Sequence, residues 1–116
     1  MAWLKLDWDN ITEATMVARV VTMFDNLRMM PKVYKTGHGY HIYIWVFLTR
    51  NFEKNEVELI KLRHQYWDDT MRINLDIDRM KRGQPHDVLF HEKEGFMREF
   101  IEPSALLNII ESYTVR

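Results

Sequence analysis

The chain has no cysteine among its 116 residues. That excludes disulfides, zinc–thiolate centres and thiol nucleophiles, and it suits a reducing compartment. Long apolar runs are missing too. The longest, residues 42–48, falls far short of the roughly 20 residues a spanning helix needs. Near the N-terminus, Lys5, Asp7 and Asp9 interrupt the stretch where a signal peptide would be apolar. The sequence therefore predicts a cytoplasmic protein, mature from its first residue and without a membrane partner. Charge of one sign is absent as well: 16 basic residues face 17 acidic ones, for a net charge of -1. Coating nucleic acid by bulk charge is excluded, and any such contact needs a local patch. Only four glycines and three prolines punctuate the chain, which shows no low-complexity linker and no repeat. What is present is 47% hydrophobic and 28% charged, the balance of a single compact domain covering residues 1–116.

Residues 3–9 alternate, with Leu4, Leu6 and Trp8 opposed to Lys5, Asp7 and Asp9, which predicts a half-buried strand. Asn10 stands three residues before Glu13, the spacing of a capping box, and apolar residues recur at helical intervals over 11–29 before Pro31. A short β-prone segment, 32–36, precedes Gly37-His38-Gly39, where the chain can turn tightly or take a positive φ. Residues 40–48 are β-branched and aromatic throughout, as expected of a central strand paired in a hairpin. An amphipathic helix follows over 51–68. Residues 71–78 alternate apolar and polar, which favours a strand, although Arg72, Asp76 and Arg79 also fit helical spacing. Strands are expected at 87–90 and 96–101 around the turn 92–95, then a helix from Pro103. The order β-α-β-β-α-β, with an extra C-terminal hairpin and helix, predicts an α+β fold with a ferredoxin-like or RNA-recognition-like sheet.

Three groups of residues can carry chemistry. Asp7 and Asp9 share one face of the first strand, roughly 7 Å apart along it. Such a pair can share hard divalent cations, Mg²⁺ or Mn²⁺, or can simply be a solvated strand face. In Lys35-Thr36-Gly37-His38-Gly39-Tyr40-His41, glycines permit close approach of a phosphate, Lys35 and Thr36 can donate to it, and His41 can donate or act as a base. The other reading of this segment is a plain hairpin turn. Arg72, Asp76, Asp78 and Arg79 offer guanidiniums for phosphate beside a further carboxylate, or a surface salt-bridge network.

Taken together, Leu6-Asp7-Trp8-Asp9, then Thr36-Gly37-His38-Gly39-Tyr40-His41, then Leu75-Asp76 or Ile77-Asp78 resemble the motifs of the archaeo-eukaryotic primase superfamily. That superfamily includes primase-polymerases of archaea, plasmids and viruses. The resemblance covers about residues 4–80, with Thr in place of the usual Ser. It implies a nucleotidyltransferase acting in DNA replication. Asp7, Asp9 and Asp76 (or Asp78) would hold two divalent metals, and His41 would contact nucleotide phosphates with Thr36, Lys35 and His38 beside it. Arg72 and Arg79 are phosphate contacts suggested by their chemistry rather than by the resemblance. Single-stranded DNA and nucleotides are the implied partners. At 116 residues the chain would be a minimal core, so a degenerate site or dependence on replication partner proteins is also implied.

Two other readings stay open. A replication initiator of the HUH type would nick DNA through Tyr66, with His38 and His41 on metal, but residues three apart on a strand point to opposite faces. A non-catalytic protein would use Tyr43, Trp45 and Phe47, which share one face at period two, as a stacking platform for single-stranded nucleic acid. Burial tendencies instead favour those three as core under the helices. Eight methionines also suit an adaptable, oligomeric interface.

Overall fold

The computed structural model describes residues 2–48, 52–87, 89, 92–93 and 96–114. Strand β1 spans Ala2–Asp9 and leads into helix α1, Glu13–Leu27. The cap of α1 is Thr12, whose hydroxyl accepts the Thr15 N–H at 3.1 Å, and not Asn10. Asn10 is drawn away by its N–H, which donates to His38 O at 2.6 Å and leaves its own φ at 56°. The helix also stops earlier than Pro31 requires. Arg28 takes a left-handed φ of 57° and donates its N–H to Phe24 O, which ends the helix at Leu27.

Strands β2, Lys32–Lys35, and β3, Gly39–Val46, form the expected hairpin, closed by the Thr36 N–H on Gly39 O. Neither Gly37 nor Gly39 takes a left-handed φ. Gly39 is needed for a different reason: a Cβ there would lie 1.9 Å from the backbone oxygen of Trp8 on β1. Its role is to let two strands approach.

Helix α2, Phe52–Gln65, is followed by a second helix, α3, Thr70–Lys81, where alternation favoured a strand. Asp69 caps α3 by accepting the Arg72 N–H at 3.0 Å. The apparent alternation is broken by burial, because Ile73 is buried while Met71 and Leu75 are exposed. Helical spacing of Arg72, Asp76 and Arg79 is what the fold uses. In the segment predicted as a strand at 87–90, Asp87 and Leu89 lie outside any strand, and the other two residues fall outside the described ones. The strand expected over 96–101 is interrupted at Arg98. It forms β5, Phe96–Met97, paired with β4, Glu92–Lys93, and then β6, Glu99–Ile101. Helix α4, Pro103–Thr114, ends the described chain.

The result is an α+β protein with a four-stranded antiparallel sheet in the order β1-β3-β2-β6. The fourth strand joins at the β2 side, so β1 is an edge. Register sets two faces. Leu4, Leu6 and Trp8 lie opposite Ile44, Ile42 and Tyr40, and these pack with Val33 against Met16, Val17, Val20 and Met23 of α1 and Leu106 of α4. Trp3, Lys5 and Asp7 lie opposite Trp45, Tyr43 and His41 on the other face. The open edge of β1 is held by side chains from the α2–α3 junction: the Asp7 N–H donates to Asp68 Oδ1 at 2.7 Å, and Arg72 donates to Lys5 O at 3.2 Å. Among the described residues, no helix is long and apolar enough to cross a membrane.

Candidate nucleic-acid interface and carboxylate cluster

The face turned away from the core carries Asp7, Asp9 and His41 of the predicted site, together with a row of aromatic rings. Tyr43, Trp45 and Phe47 were expected in the core. Instead Phe47 is 76% exposed, Tyr43 and Trp45 are half-buried, and the intervening Ile42, Ile44 and Val46 form the core. Both faces of β3 look apolar, so its own sequence could not choose. The choice is made by β1, where only the Leu4, Leu6 and Trp8 side is apolar. Aromatic rings then cross three further strands of this face. Trp3 and Trp45 meet edge-on at 4.9 Å, Tyr34 and Tyr43 at 5.6 Å, and Tyr34 and Phe100 at 5.1 Å. Cations lie among them. Lys32 Nζ sits 5.3 Å from the Trp3 ring, and the Arg98 guanidinium lies 4.2 Å from that of Tyr34. Arg98 also donates to Tyr43 Oη at 2.9 Å and lies 3.2 Å from His41 Nδ1. Sequence reasoning missed Arg98 because it falls in the break between β5 and β6, where no periodic pattern marks it.

At one end of the same face, antiparallel pairing sets Asp7 directly opposite His41, with Asp9 opposite Gly39. His41 Nε2 lies 3.7 Å from Asp7 Oδ1. That oxygen is buried and, among the described residues, accepts no hydrogen bond. Burial pushes the Asp7 carboxyl up to about 7, and the charge of Asp9 and a hydrogen bond with it add to the shift. The guanidinium of Arg98 can only donate, so His41 Nδ1 accepts, and the proton of the neutral ring sits on Nε2, facing Asp7.

Other predicted residues are placed elsewhere. Lys35 alternates onto the core side, its Nζ 4.8 Å from the Tyr40 ring. His38 is exposed in the hairpin turn, and the Thr36 hydroxyl is buried without a hydrogen-bond partner among the described residues. Arg72, Asp76 and Arg79 form a network along the β1 edge with three residues that the sequence did not single out, Arg63, Asp68 and Asp87. Arg63 Nε meets Asp68 at 2.6 Å, its NH2 meets Asp76 Oδ2 at 2.8 Å, and Arg72 bridges Asp68 and Asp87 at 2.7 and 2.5 Å. Arg79 reaches the second oxygen of Asp76 at 3.5 Å. Burial works to raise the Asp76 carboxyl, but the Asp87 backbone N–H and the Arg63 and Arg72 guanidiniums hold it below the ordinary carboxylate range. Asp78 is exposed and pairs with Arg82 at 3.3 Å. A cue to the network was the pair Asp68-Asp69 before a helix, a capping signal that the alternation of residues 71–78 obscured.

The metal implied by the primase resemblance fits this geometry in part. The orphaned oxygen of Asp7 beside Asp9 suits a hard cation, whereas both oxygens of Asp76 are engaged by arginines. Among the described residues, no group of three or more histidines and carboxylates is gathered around a common point that could hold a metal ion. The HUH-type reading loses its nucleophile, since Tyr66 is 2% exposed in the core and its backbone oxygen accepts the Trp8 indole N–H at 2.9 Å. Comparison with protein-family models, with curated proteins and with solved structures gave no match.

Proposed function

We propose that the protein binds single-stranded nucleic acid on the sheet face lined by Trp3, Trp45, Tyr43, Tyr34 and Phe100, as RNA-recognition-like sheets do. The observation that carries this reading is the row of aromatic rings outside the core, interleaved with Lys32, Lys5 and Arg98. Rings of this kind stack bases without regard to sequence, and the cations beside them meet phosphates. Three local cations on one face answer the objection raised by a net charge of -1. The test is fluorescence anisotropy of a labelled oligodeoxythymidylate with wild type, Trp45→Ala and Tyr43→Ala. Each variant is expected to lose about 5- to 150-fold in affinity, matching roughly 1–3 kcal/mol per stacked base. Unchanged affinity in both variants, or no binding by wild type, overturns the proposal.

A second reading, metal-dependent nucleotidyl transfer in replication, is favoured by the unpartnered Asp7 oxygen next to Asp9 and His41. Mg²⁺ commonly binds through one or two carboxylates together with substrate phosphates, so Asp7 and Asp9 would hold it and the ion would supply charge stabilisation at phosphate. His41 would donate from Nε2 to a phosphate oxygen. Calorimetric titration of Mn²⁺ with a nucleoside triphosphate present, comparing wild type with Asp7→Asn/Asp9→Asn, decides it. Equal binding in the two removes this reading.

A further inference from the structure

On the other side of the sheet lies an open surface groove of about 360 Å³, lined by Ala14, Thr15, Ala18, Arg19 and Thr22 of α1 and by Trp67. Arg19 is held in place there by two indoles. Its guanidinium carbon is 5.3 Å from the centre of the Trp8 ring and 5.2 Å from that of Trp67. Among the described residues it has no carboxylate or hydrogen-bond partner. The positions one turn away on α1 are Thr15, Met16, Thr22 and Met23, none acidic. A guanidinium carries five N–H donors in a rigid fork suited to oxyanions, and here they remain unspent at the wall of a groove.

The backbone holds the second wall in an uncommon way. The Trp67 N–H donates to His64 O and the Asp68 N–H to Arg63 O, the bonding of a Schellman helix end. The residue at the left-handed position of that motif is usually glycine. Here it is Trp67, at a φ of 63°, and the residue is 40% exposed. A bulky residue rarely takes this conformation, and such outliers cluster at ligand sites. Trp67 presents a flat apolar wall and Ala14 and Ala18 a small-residue floor, while the Thr22 hydroxyl donates to Ala18 O and the Thr15 hydroxyl accepts from Thr12.

We infer that this groove binds a small organic oxyanion, a carboxylate or phosphate monoester on a flat apolar body, with the anion on Arg19 and the body against Trp67. The site is separate from the Asp7–His41 face, because Trp8 alternates to the opposite side of β1.

Benzoate and phenyl phosphate are the two probes, and they separate the carboxylate from the phosphate form. Binding is read from tryptophan fluorescence in wild type, Arg19→Gln and Trp67→Gly, and from the Trp67 indole N–H resonance in the two proteins that keep it. Saturable binding of at least one probe is expected in wild type, with a loss of about 10-fold or more in Arg19→Gln, the size expected for a charged hydrogen bond. Trp67→Gly relieves the left-handed backbone but also removes the ring contacts to Trp8 and Arg19, so its fold is checked by thermal unfolding, and it should lose binding. Absence of saturation up to roughly 10 mM, beyond the millimolar limit of weak specific binding, overturns the inference. So does equal affinity in Arg19→Gln. Oligonucleotide affinity is measured on the same variants and should not change, which keeps this outcome distinct from that of the sheet face.

Discussion

Arg98 lies across the sheet face so that one guanidinium nitrogen donates to Tyr43 Oη and reaches His41 Nδ1 at 3.2 Å. The contact settles which ring nitrogen of His41 carries the proton. In wild type, ¹⁵N NMR at pH 8 should show the His41 Nε2–H tautomer, and Arg98→Met, which keeps the side-chain stem but removes the donor, should shift the population toward Nδ1–H. A tautomer population unchanged by Arg98→Met would refute the assignment.

Asp7 gives the fold a pH dependence of definite sign. Its folded-state value of about 7 lies above that of an unfolded aspartate, so the folded state binds the extra proton between about pH 4 and 7. Its contribution to stability is fully present below pH 4 and is lost as pH rises through 7. Asp7→Asn should therefore gain on wild type by something on the order of 1–3 kcal/mol between pH 5 and pH 8. Urea unfolding at the two pH values measures this, and a difference that does not change with pH counts against the buried carboxyl.

Asp76 distinguishes a structural role from a catalytic one. It is 1% exposed and pairs with Arg63, itself buried. Asp76→Asn should lower stability by about 3 kcal/mol, the usual cost of breaking one side of a buried pair, and should leave Mn²⁺ binding at Asp7 and Asp9 as in wild type. Loss of metal binding with stability intact would return Asp76 to the site.

Two glycines should respond unequally to alanine. At Gly39 the new methyl meets the Trp8 carbonyl, so β1 and β3 must separate, and the expected outcome is a loss above about 3 kcal/mol or failure to fold. At Gly83, with φ of 66° and open space around it, the cost is the left-handed conformation alone, about 1–2 kcal/mol. Thermal unfolding of the two variants orders them.

These cases show how far residue patterns reach. Strands β1 and β3 and helices α1, α2 and α4 follow from alternation, helical spacing and hairpin pairing, whereas the meeting of Asp7 and His41 was implied by the primase resemblance alone. Helix α3 did not follow. Eight alternating residues mimic a strand, and the features that outweigh them are the Asp69 cap and burial of Ile73 and Asp76 on one stripe. The partners of Asp76 were equally hidden. Arg63 stands 13 residues away, and only the packing of α2 on α3 brings the two together. Arg98 was illegible because side chains in a strand break obey no period. Gly39 was read as making room for a phosphate, and the strand beside it takes that room instead.

The side chains along the edge of β1 also determine how the sheet can grow. Asp68 and Arg72 take up the outward N–H of Asp7 and the outward carbonyl of Lys5. An incoming strand from another molecule therefore finds those positions taken, and would have to displace buried ion pairs to dock. The opposite border is β6, three residues long and paired only with β2 among the described strands. Strand addition at Lys5 and Asp7 of β1 therefore works against those bonds, whereas the short β6 offers only a three-residue seam.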